Sequence, residues 1–347
     1  MKKTVLIIIG FLIFVGIYFK INKESYRGVV DKNDNVPVDF IINKGEGSTE
    51  VGERLAKEGL VKNKYYFWYY VWRTKTDSKL QAGPYILSKN MTIPEMVYKF
   101  TKGDIKDEKN TITVPEGYSN DKIVAVVAKV RPDLEKDFRE IVNCRCLNEV
   151  NCACDLFSEK YDFIRQIPRG LTLEGYLFPD TYFLAKNEKA EDLVNKFLKN
   201  FQQKVDGDIR KEIERQGKSL HEVITLASIV EREVKEDKDR PIVAGIFWKR
   251  LELGMPLGSD ATLSYILKTD KVKYTQNDIE AESPYNTYKF AGLPPGPISN
   301  PGLKAILAVV HPQKTDYLYF LNNAKTGETV FSKTGEEHSR NKRVNGL

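Results

Sequence analysis

The stretch "SIVEREV", Ser228 to Val234, sets two carboxylates, Glu231 and Glu233, on either side of Arg232 in an otherwise apolar run. A carboxyl group that apolar neighbours keep protonated near neutral pH is a general acid, and once ionised it is a general base. Ser219, with Glu222 three residues on, is a capping box and marks a helix start. At about 100° per residue, Leu220, Val223, Ile224, Leu226, Ala227, Val230 and Val234 cover one continuous arc. Glu231 falls inside the arc and Glu233 at its margin, beside Leu226. An isolated charge inside the arc would be costly. Glu231 is therefore predicted to be the buried partner of an arginine or lysine, or a supporting group of the second rank. A margin position lets one side of a carboxyl meet apolar walls while the other meets a ligand, which suits Glu233 as the acid. On the helix alone, a surface glutamate is the simpler reading of Glu233. The neighbours change this: "KEDKDRP" reads as solvated, and Pro241 opens a second helix, "PIVAGIFWKRLELG", that stops at Gly254. The two helices form a hairpin with Glu233 near its tip, where a cleft can open.

Other chemistries find no support. The three histidines, His221, His311 and His338, sit in unrelated contexts, and no G-x-S-x-G elbow surrounds a serine. There is no H-E-x-x-H or comparable metal cluster, no P-loop and no dinucleotide fingerprint, so neither metal nor cofactor is expected. What remains is rich in groups that suit carbohydrate. "LTLEGYLFPDTYFL" offers Glu174, Tyr176, Asp180 and Tyr182; "GSDATLSY" offers Ser259, Asp260 and Thr262; "ESPYNTYKFAGLPPG" offers Tyr285, Asn286 and Tyr288. Aromatic faces stack on sugar rings, and carboxylates and amides pair with hydroxyls. Each tyrosine taken singly is more often core, but Pro/Gly-rich loops favour a functional rim.

The elements that must position these residues are those of an α+β protein. At 347 residues the chain can hold one large and one smaller domain, and 41% hydrophobic with 29% charged residues is ordinary for a globular protein. The net charge of +6 suits anionic surroundings, but no Arg-rich stripe or nucleic-acid motif accompanies it, so no nucleic-acid partner is expected. After "MKK", an apolar run from Val5 to Phe19 reads as a membrane anchor, since about 17 residues just cross a hydrocarbon core. "KINKESYRG" offers no small-residue cleavage site, which argues against a cleaved signal peptide. Residues 1–3 are thus expected in the cytoplasm, 4–21 across the membrane, 22–37 as a linker, and the bulk outside the cell. Cys144, Cys146, Cys152 and Cys154 form paired C-x-C units that could make two disulfides or a tetrathiolate metal site; outside the cytoplasm disulfides are favoured. Residues 38–103 read as a small unit of strands and capped helices, with "YYFWYYVWR" an aromatic helix that needs burial. Thr92 and Glu95 form a second capping box, with Gly103 ending that helix. Residues 104–347 read as the larger α+β region.

"IINKGEGSTEVGERLAKEGLV" resembles the LysM-type glycan-binding module: a strand, a Gly-Ser turn and a capped helix. From there on, "LEGYLFPDTY", "ASIVEREV", "SDATLSY", "SPYNTY", "GLPPGPISNPG", "AVVHP" and "YLYFL", in this order behind an anchor, resemble the YceG-like (MltG) endolytic murein transglycosylases. The resemblance implies a lytic transglycosylase that cleaves murein glycan strands with Glu233 as its one catalytic acid. It implies substrate positioning or support by Glu174, Asp260, Tyr285, Asn286 and Tyr288, and work beside the wall-synthesis machinery. The cysteine-bearing segment and the small residues of "LGSDAT" depart from the family pattern, which leaves the role of the first and the subsite detail around the second open.

Overall fold

The computed structural model describes residues 29–32, 34, 36–102, 111–145, 153–184, 188–269, 271, 274–323 and 326–345. The expected anchor, most of the linker, Gly103, Cys146 and Cys152 lie outside the described residues. Among the described residues no helix is long and apolar enough to cross a membrane. Cys144 is disulfide-bonded.

The chain divides into two compact units, one up to Thr111 and the other from Ile112 onward, each with its own core. In the first, strand β1 (Val38–Ile42) leads into helices α1 (Ser48–Lys57) and α2 (Lys64–Thr74), then strand β2 (Gly83–Leu87) and helix α3 (Ile93–Lys102). β1 and β2 pair antiparallel with Phe40 opposite Tyr85, and both rings are buried with Phe67, Met96 and Phe100. The Thr92–Glu95 capping box forms, with Thr92 N–H donating to Glu95 Oε2 at 2.7 Å. α1, in contrast, is capped at Gly47 rather than Ser48 or Thr49, with Glu50 accepting from Gly47 N–H at 3.1 Å. The aromatic helix α2 also differs from expectation. It buries only Phe67 and Val71, one turn apart, and leaves Tyr65 56% and Trp72 75% exposed on the other side. Helical spacing puts these aromatics on different faces, and only one face meets the core.

Strand β3 (Thr111–Thr113) begins on the last residue of the first unit, and helices α4 (Asn120–Val130), α5 (Glu135–Asn143) and α6 (Ala153–Phe157) follow in the second. Strand β4 (Thr181–Phe183) shares a two-stranded sheet with β3. Helices α7 (Ala190–Lys204), α8 (Gly207–Arg215), α9 (Leu220–Glu233), α10 (Arg240–Glu252), α11 (Asp260–Leu267), α12 (Gln276–Ile279) and α13 (Leu303–Val310) follow. A hairpin of β5 (Tyr319–Asn322) and β6 (Thr329–Ser332) and the helix α14 (Gly335–Val344) complete the described chain. The fold is thus mixed α+β, with small sheets and many helices.

α9, which carries the two glutamates, is the axis of this unit. It starts at the Ser219–Glu222 capping box, Ser219 N–H donating to Glu222 Oε2 at 2.7 Å. It packs chiefly against α13 and α10. The helical wheel predicts one apolar arc, but every residue from Val223 to Val230 is buried, Thr225, Ser228 and Ile229 included. A helix buried all round has no margin, so the exposure of its last residues follows from its ending and not from its face. The proline-rich segment "GLPPGPISNPG" straps its polar side. Ile298 N–H donates to Ser228 Oγ at 3.0 Å, and Ser299 Oγ–H donates to the Ser228 carbonyl at 3.1 Å.

Gly175 lies against both this strap and α9. Its φ of +92° favours glycine, and a Cβ there would lie 2.5 Å from the Pro297 ring and 3.0 Å from Ile224 Cγ2. Gly175→Ala combines left-handed strain with overpacking and is expected to cost about 2–4 kcal/mol. A thermal melt checks this; an unchanged melting temperature would show that the strap moves freely.

Candidate active site

The last turn of α9 sends three consecutive charged side chains into three environments. Glu231 accepts from Arg240 Nη2 at 2.9 Å and, through its other oxygen, from Gly302 N–H at 3.0 Å. The side chains of this pair are 5% and 8% exposed. Arg240 belongs to "KEDKDRP", which the sequence suggests is solvated. The turn instead brings Arg240 and Asp239 back into buried positions, with Arg240 over the preceding helix. Gly302 caps α13, so the Glu231 carboxyl lies at the amino end of that helix. A Cβ at Gly302 would fall 1.9 Å from Glu116 Oε1, so a side chain there must displace the exposed Glu116 carboxyl. Burial pushes the Glu231 carboxyl above the usual range, opposed by the Gly302 N–H and Arg240.

Glu233 points elsewhere. Its Oε1 accepts from the Ser259 hydroxyl and, at 3.5 Å, from Ala261 N–H. These residues begin α11, so this carboxyl also rests on a helix amino end. Both hydrogen bonds that the carboxyl accepts among the described residues fall on Oε1. Asn322 Nδ2 donates to the Glu233 main-chain carbonyl at 2.7 Å and so satisfies one of the carbonyls that a helix end leaves open. Burial raises the Glu233 pKa and nearby Asp260 adds to this; the Ser259 and Ala261 bonds work the other way.

The other predicted residues separate into two groups. Asp260 is exposed beside Glu233 and accepts from Tyr288 OH at 2.6 Å, which brings both within range of the acid. Asn286 is fully buried: its Nδ2 donates to the carbonyls of Ile279 and Ala281 at 2.7 and 2.9 Å, and its Oδ1 accepts from Tyr288 N–H at 3.0 Å. It shapes the loop that presents Tyr288 and offers no open face. Glu174 lies on the Arg232 side, in the wall of a cleft of about 640 Å³ that Tyr265 and Tyr285 also line. The remaining sugar-compatible candidates are structural. Tyr176 is in the core with its OH on His221 Nδ1 at 3.0 Å, Tyr182 OH donates to the Phe178 carbonyl, and Asp180 accepts from Asn200 at 2.9 Å.

Three supporting residues were not singled out from the sequence. Asn300 Nδ2 reaches the Tyr118 carbonyl at 3.0 Å, Asn120 Oδ1 at 3.1 Å and Glu174 Oε1 at 3.2 Å, while its Oδ1 accepts from Leu177 N–H at 2.8 Å. It ties three segments beneath the cleft. Thr287 Oγ1 accepts from Ser259 N–H at 3.0 Å and meets Thr262 Oγ1 at 2.9 Å, which fixes the start of α11. Arg250, held on the Leu318 and Leu257 carbonyls at 2.7 and 2.8 Å, lies close enough to Glu233 to feel its charge. Only the small polar residue in a Pro/Gly loop hints at the first two; nothing local marks Arg250. Among the described residues no cluster of His, Cys, Asp or Glu could hold a metal ion.

Glu174 gives a pH signature. Burial pushes its carboxyl from the ordinary 4.5 up to about 8, against the Asn120 N–H that it accepts at 3.0 Å. A raised folded pKa means its stabilising contribution is complete below the unfolded value and is lost as pH rises through about 8. Between about pH 5 and pH 9 the wild type should lose on the order of a few kcal/mol that Glu174→Gln does not lose. Melting curves across that range decide it; parallel pH slopes in the two proteins would show Glu174 ionised throughout.

A protein of Bacillus subtilis named endolytic murein transglycosylase is 34% identical over 321 residues, covering 92% of this chain and 88% of that protein. A Streptococcus pneumoniae protein of the same name is 29% identical, covering 96% of this chain but 64% of its own length. A crystal structure of a putative yceG-like protein from Listeria monocytogenes is similar at a TM-score of 0.60 with 33% identity, over 88% of this chain and 98% of that one. The sequence model of the YceG-like family matches residues 40–344, from β1 through the last residue of α14 and with Glu231 and Glu233 inside it, so the chain belongs to the YceG-like family.

Proposed function

We propose that the chain is an endolytic murein transglycosylase, a lyase that cuts inside peptidoglycan glycan strands, with Glu233 as its single acid and base. The observation that carries the assignment is the asymmetry of the Glu233 carboxyl: Oε1 is held by Ser259 and Ala261, which leaves Oε2 for a substrate. Glu231 lacks this freedom, since both of its oxygens are engaged. Family membership and the name of the Bacillus relative support the substrate class.

Protonated Glu233 donates to the oxygen joining C1 of N-acetylmuramic acid to N-acetylglucosamine, and the C1–O bond breaks. The resulting carboxylate takes the proton of the C6 hydroxyl on the same muramic acid, and O6 bonds to C1. The product carries a 1,6-anhydro ring, no water is consumed, and Glu233 is again protonated. One carboxyl suffices where ordinary glycosidases need two. Asp260, oriented by Tyr288, lies on the same side as the acid and suits contact with the reacting sugar. Glu174 and Tyr285 serve the neighbouring cleft, and Asn286 serves through Tyr288. The first unit is proposed to bind glycan in the manner of a LysM-like module. Its strand, turn and helix over residues 38–57 and its exposed Trp72 support this. The segment 4–21 is proposed to anchor the chain with both units outside the membrane, beside the machinery that makes new strands.

Mass spectrometry of digested uncrosslinked strands tests the reaction. Anhydro ends are expected; reducing ends, heavier by one water, would make the enzyme a hydrolase, and uncut strands would make it a binding protein. Glu233→Gln should lower the rate about a thousandfold while keeping the fold, the scale of losing a general acid. Glu231→Gln removes the charge that faces the buried Arg240 at 2.9 Å, leaving it only Asp237 at 3.7 Å, and should cost about 3 kcal/mol of stability. Equal melting losses in the two variants would remove the distinction drawn between them.

A further inference from the structure

Arg250 is a cation in a place that calls for an anion. It is half-buried near the end of α10, where desolvation disfavours its charged form. A cation withdrawn from water is ordinarily paired with a carboxylate. Among the described residues Arg250 makes no ion pair, and its hydrogen bonds all go to main-chain carbonyls. Nε donates to Leu318 at 2.7 Å, and Nη1 donates to Leu257 at 2.8 Å and to Pro256 at 3.4 Å. The guanidinium carbon lies 5.0 Å from the centre of the Tyr319 ring. The carboxylate whose charge acts on it is Glu233.

The carbonyls that Arg250 holds belong to the two segments that grip Glu233. Leu257 stands just ahead of Ser259, whose hydroxyl donates to Glu233 Oε1. Between them Gly258 takes a φ of +58°, and a Cβ there would lie 3.7 Å from the Tyr288 ring and 3.8 Å from Arg250 Nη1. Leu318 immediately precedes β5, and β5 ends at Asn322, whose Nδ2 donates to the Glu233 main-chain carbonyl at 2.7 Å. One planar fork on α10 thus ties the approach to α11 to the approach to β5, and these hold the carboxyl and the carbonyl of Glu233.

We propose that Arg250 is a positioning residue for the acid: its fork sets the donors that hold Glu233, and its charge is the counter-ion against which the Glu233 carboxylate forms. The assignment deepens the murein reading of the Glu233 site and rests on it. In that reaction the carboxylate exists between the two proton transfers, so a nearby cation favours the intermediate. Because Nε and Nη1 are committed to the scaffold, the charge is already in place when the carboxylate appears. The other charged or titratable groups around Glu233 are Arg232 on α9, Asp260 on α11 and Tyr288 in the loop. Arg232 acts in the same sense as Arg250, and Asp260 in the opposite one. Tyr288 donates its OH to Asp260, and burial together with that carboxylate favours its neutral form. Around Arg250 lie Tyr319 and, stacked on that ring with centroids 5.3 Å apart, His338, whose neutral form is favoured by burial, Lys342 and Arg250. Removing the Arg250 charge therefore destabilises the ionised form of Glu233 and moves its titration to higher pH.

Infrared spectroscopy of the full-length chain in detergent titrates Glu233 directly, its protonated carboxyl being the band missing from Glu233→Gln. Arg250→Met removes the charge and keeps the length, whereas Arg250→Lys keeps the charge and loses the fork. The Glu233 midpoint should rise by about one pH unit in Arg250→Met and by roughly half of that or less in Arg250→Lys. With uncrosslinked strands, Arg250→Met should lower kcat about tenfold with KM within about twofold, and the alkaline limb of its rate profile should move with the midpoint. An unmoved midpoint in Arg250→Met, or an equal shift in Arg250→Lys, overturns the proposal. A raised KM at unchanged kcat also overturns it and makes Arg250 a substrate contact. Thermal melts accompany each variant, and Arg250→Gln, neutral but able to donate to one carbonyl, takes the place of Arg250→Met if that chain does not fold. The titration and the reaction can fail separately. A midpoint that shifts in a chain that cuts no strands keeps the coupling and removes the transglycosylase, whereas cleavage by the wild type with a midpoint that Arg250→Met leaves in place does the reverse.

Discussion

A carboxylate at the carboxyl end of its own helix sits in an unfavourable field, because the open carbonyls there are already negative. α9 ends with two such groups, Glu231 and Glu233, at the edge of a core that offers them little water. Each is compensated by the amino end of a different helix: α13 for Glu231, through Gly302, and α11 for Glu233, through Ser259 and Ala261. The surrounding architecture follows from that requirement. The strap of residues 292–302 must pass over α9 to bring Gly302 to Glu231, and Gly175 and Ser228 let it lie that close. The loop ending in Thr287 must hold Ser259 so that α11 starts where Glu233 ends.

Much of this can be read from the sequence where the signal is local. The start of α9, the Thr92–Glu95 box, the opening of α10 at the "DRP" turn and the terminal hairpin follow from capping and alternation. What cannot be read is which distant group answers a local need. The position of Glu231 demands a cation, but nothing in "KEDKDRP" distinguishes Arg240, which folds back, from its solvated neighbours. The wheel's division of the two glutamates by face rests on an arc that the structure fills on all sides. The distinction that survives lies in the partners each carboxyl finds. Residue type was a poor guide among the tyrosines as well. Tyr176 and Tyr182 are in the core and Tyr288 is 36% exposed, a difference set by tertiary packing that the sequence motif does not encode. A small amide in a Pro/Gly loop reads as turn chemistry, so the sequence does not mark Asn300, although it joins three segments.

Arg232 gives the pair of carboxylates its spacing. It prevents Glu231 and Glu233 from being neighbours on the chain, and its charge acts favourably on Glu174 to one side and Glu233 to the other. Replacing it by a neutral residue would leave two desolvated carboxyls with less reason to ionise. The order acid, base, acid in "ERE" thus supplies a structural pin, an electrostatic bridge and the proposed reactive group within one helical turn.

A single carboxyl that must first give and then take a proton is constrained in a way that a pair of carboxyls is not. Neither of its states can be strongly favoured, or one half of the cycle becomes slow. The surroundings of Glu233 supply both terms. Burial and Asp260 favour the protonated acid that the proposed reaction needs to break the glycosidic bond. The Ser259 hydroxyl, Ala261 N–H and the amino end of α11 favour the carboxylate that follows. These donors all act on Oε1 and belong to the fixed scaffold, so they stabilise the ionised state without occupying Oε2, the oxygen proposed to exchange the proton. Glu231, with a guanidinium on one oxygen and a main-chain N–H on the other, has no comparable freedom, and its burial against Arg240 makes it a structural charge.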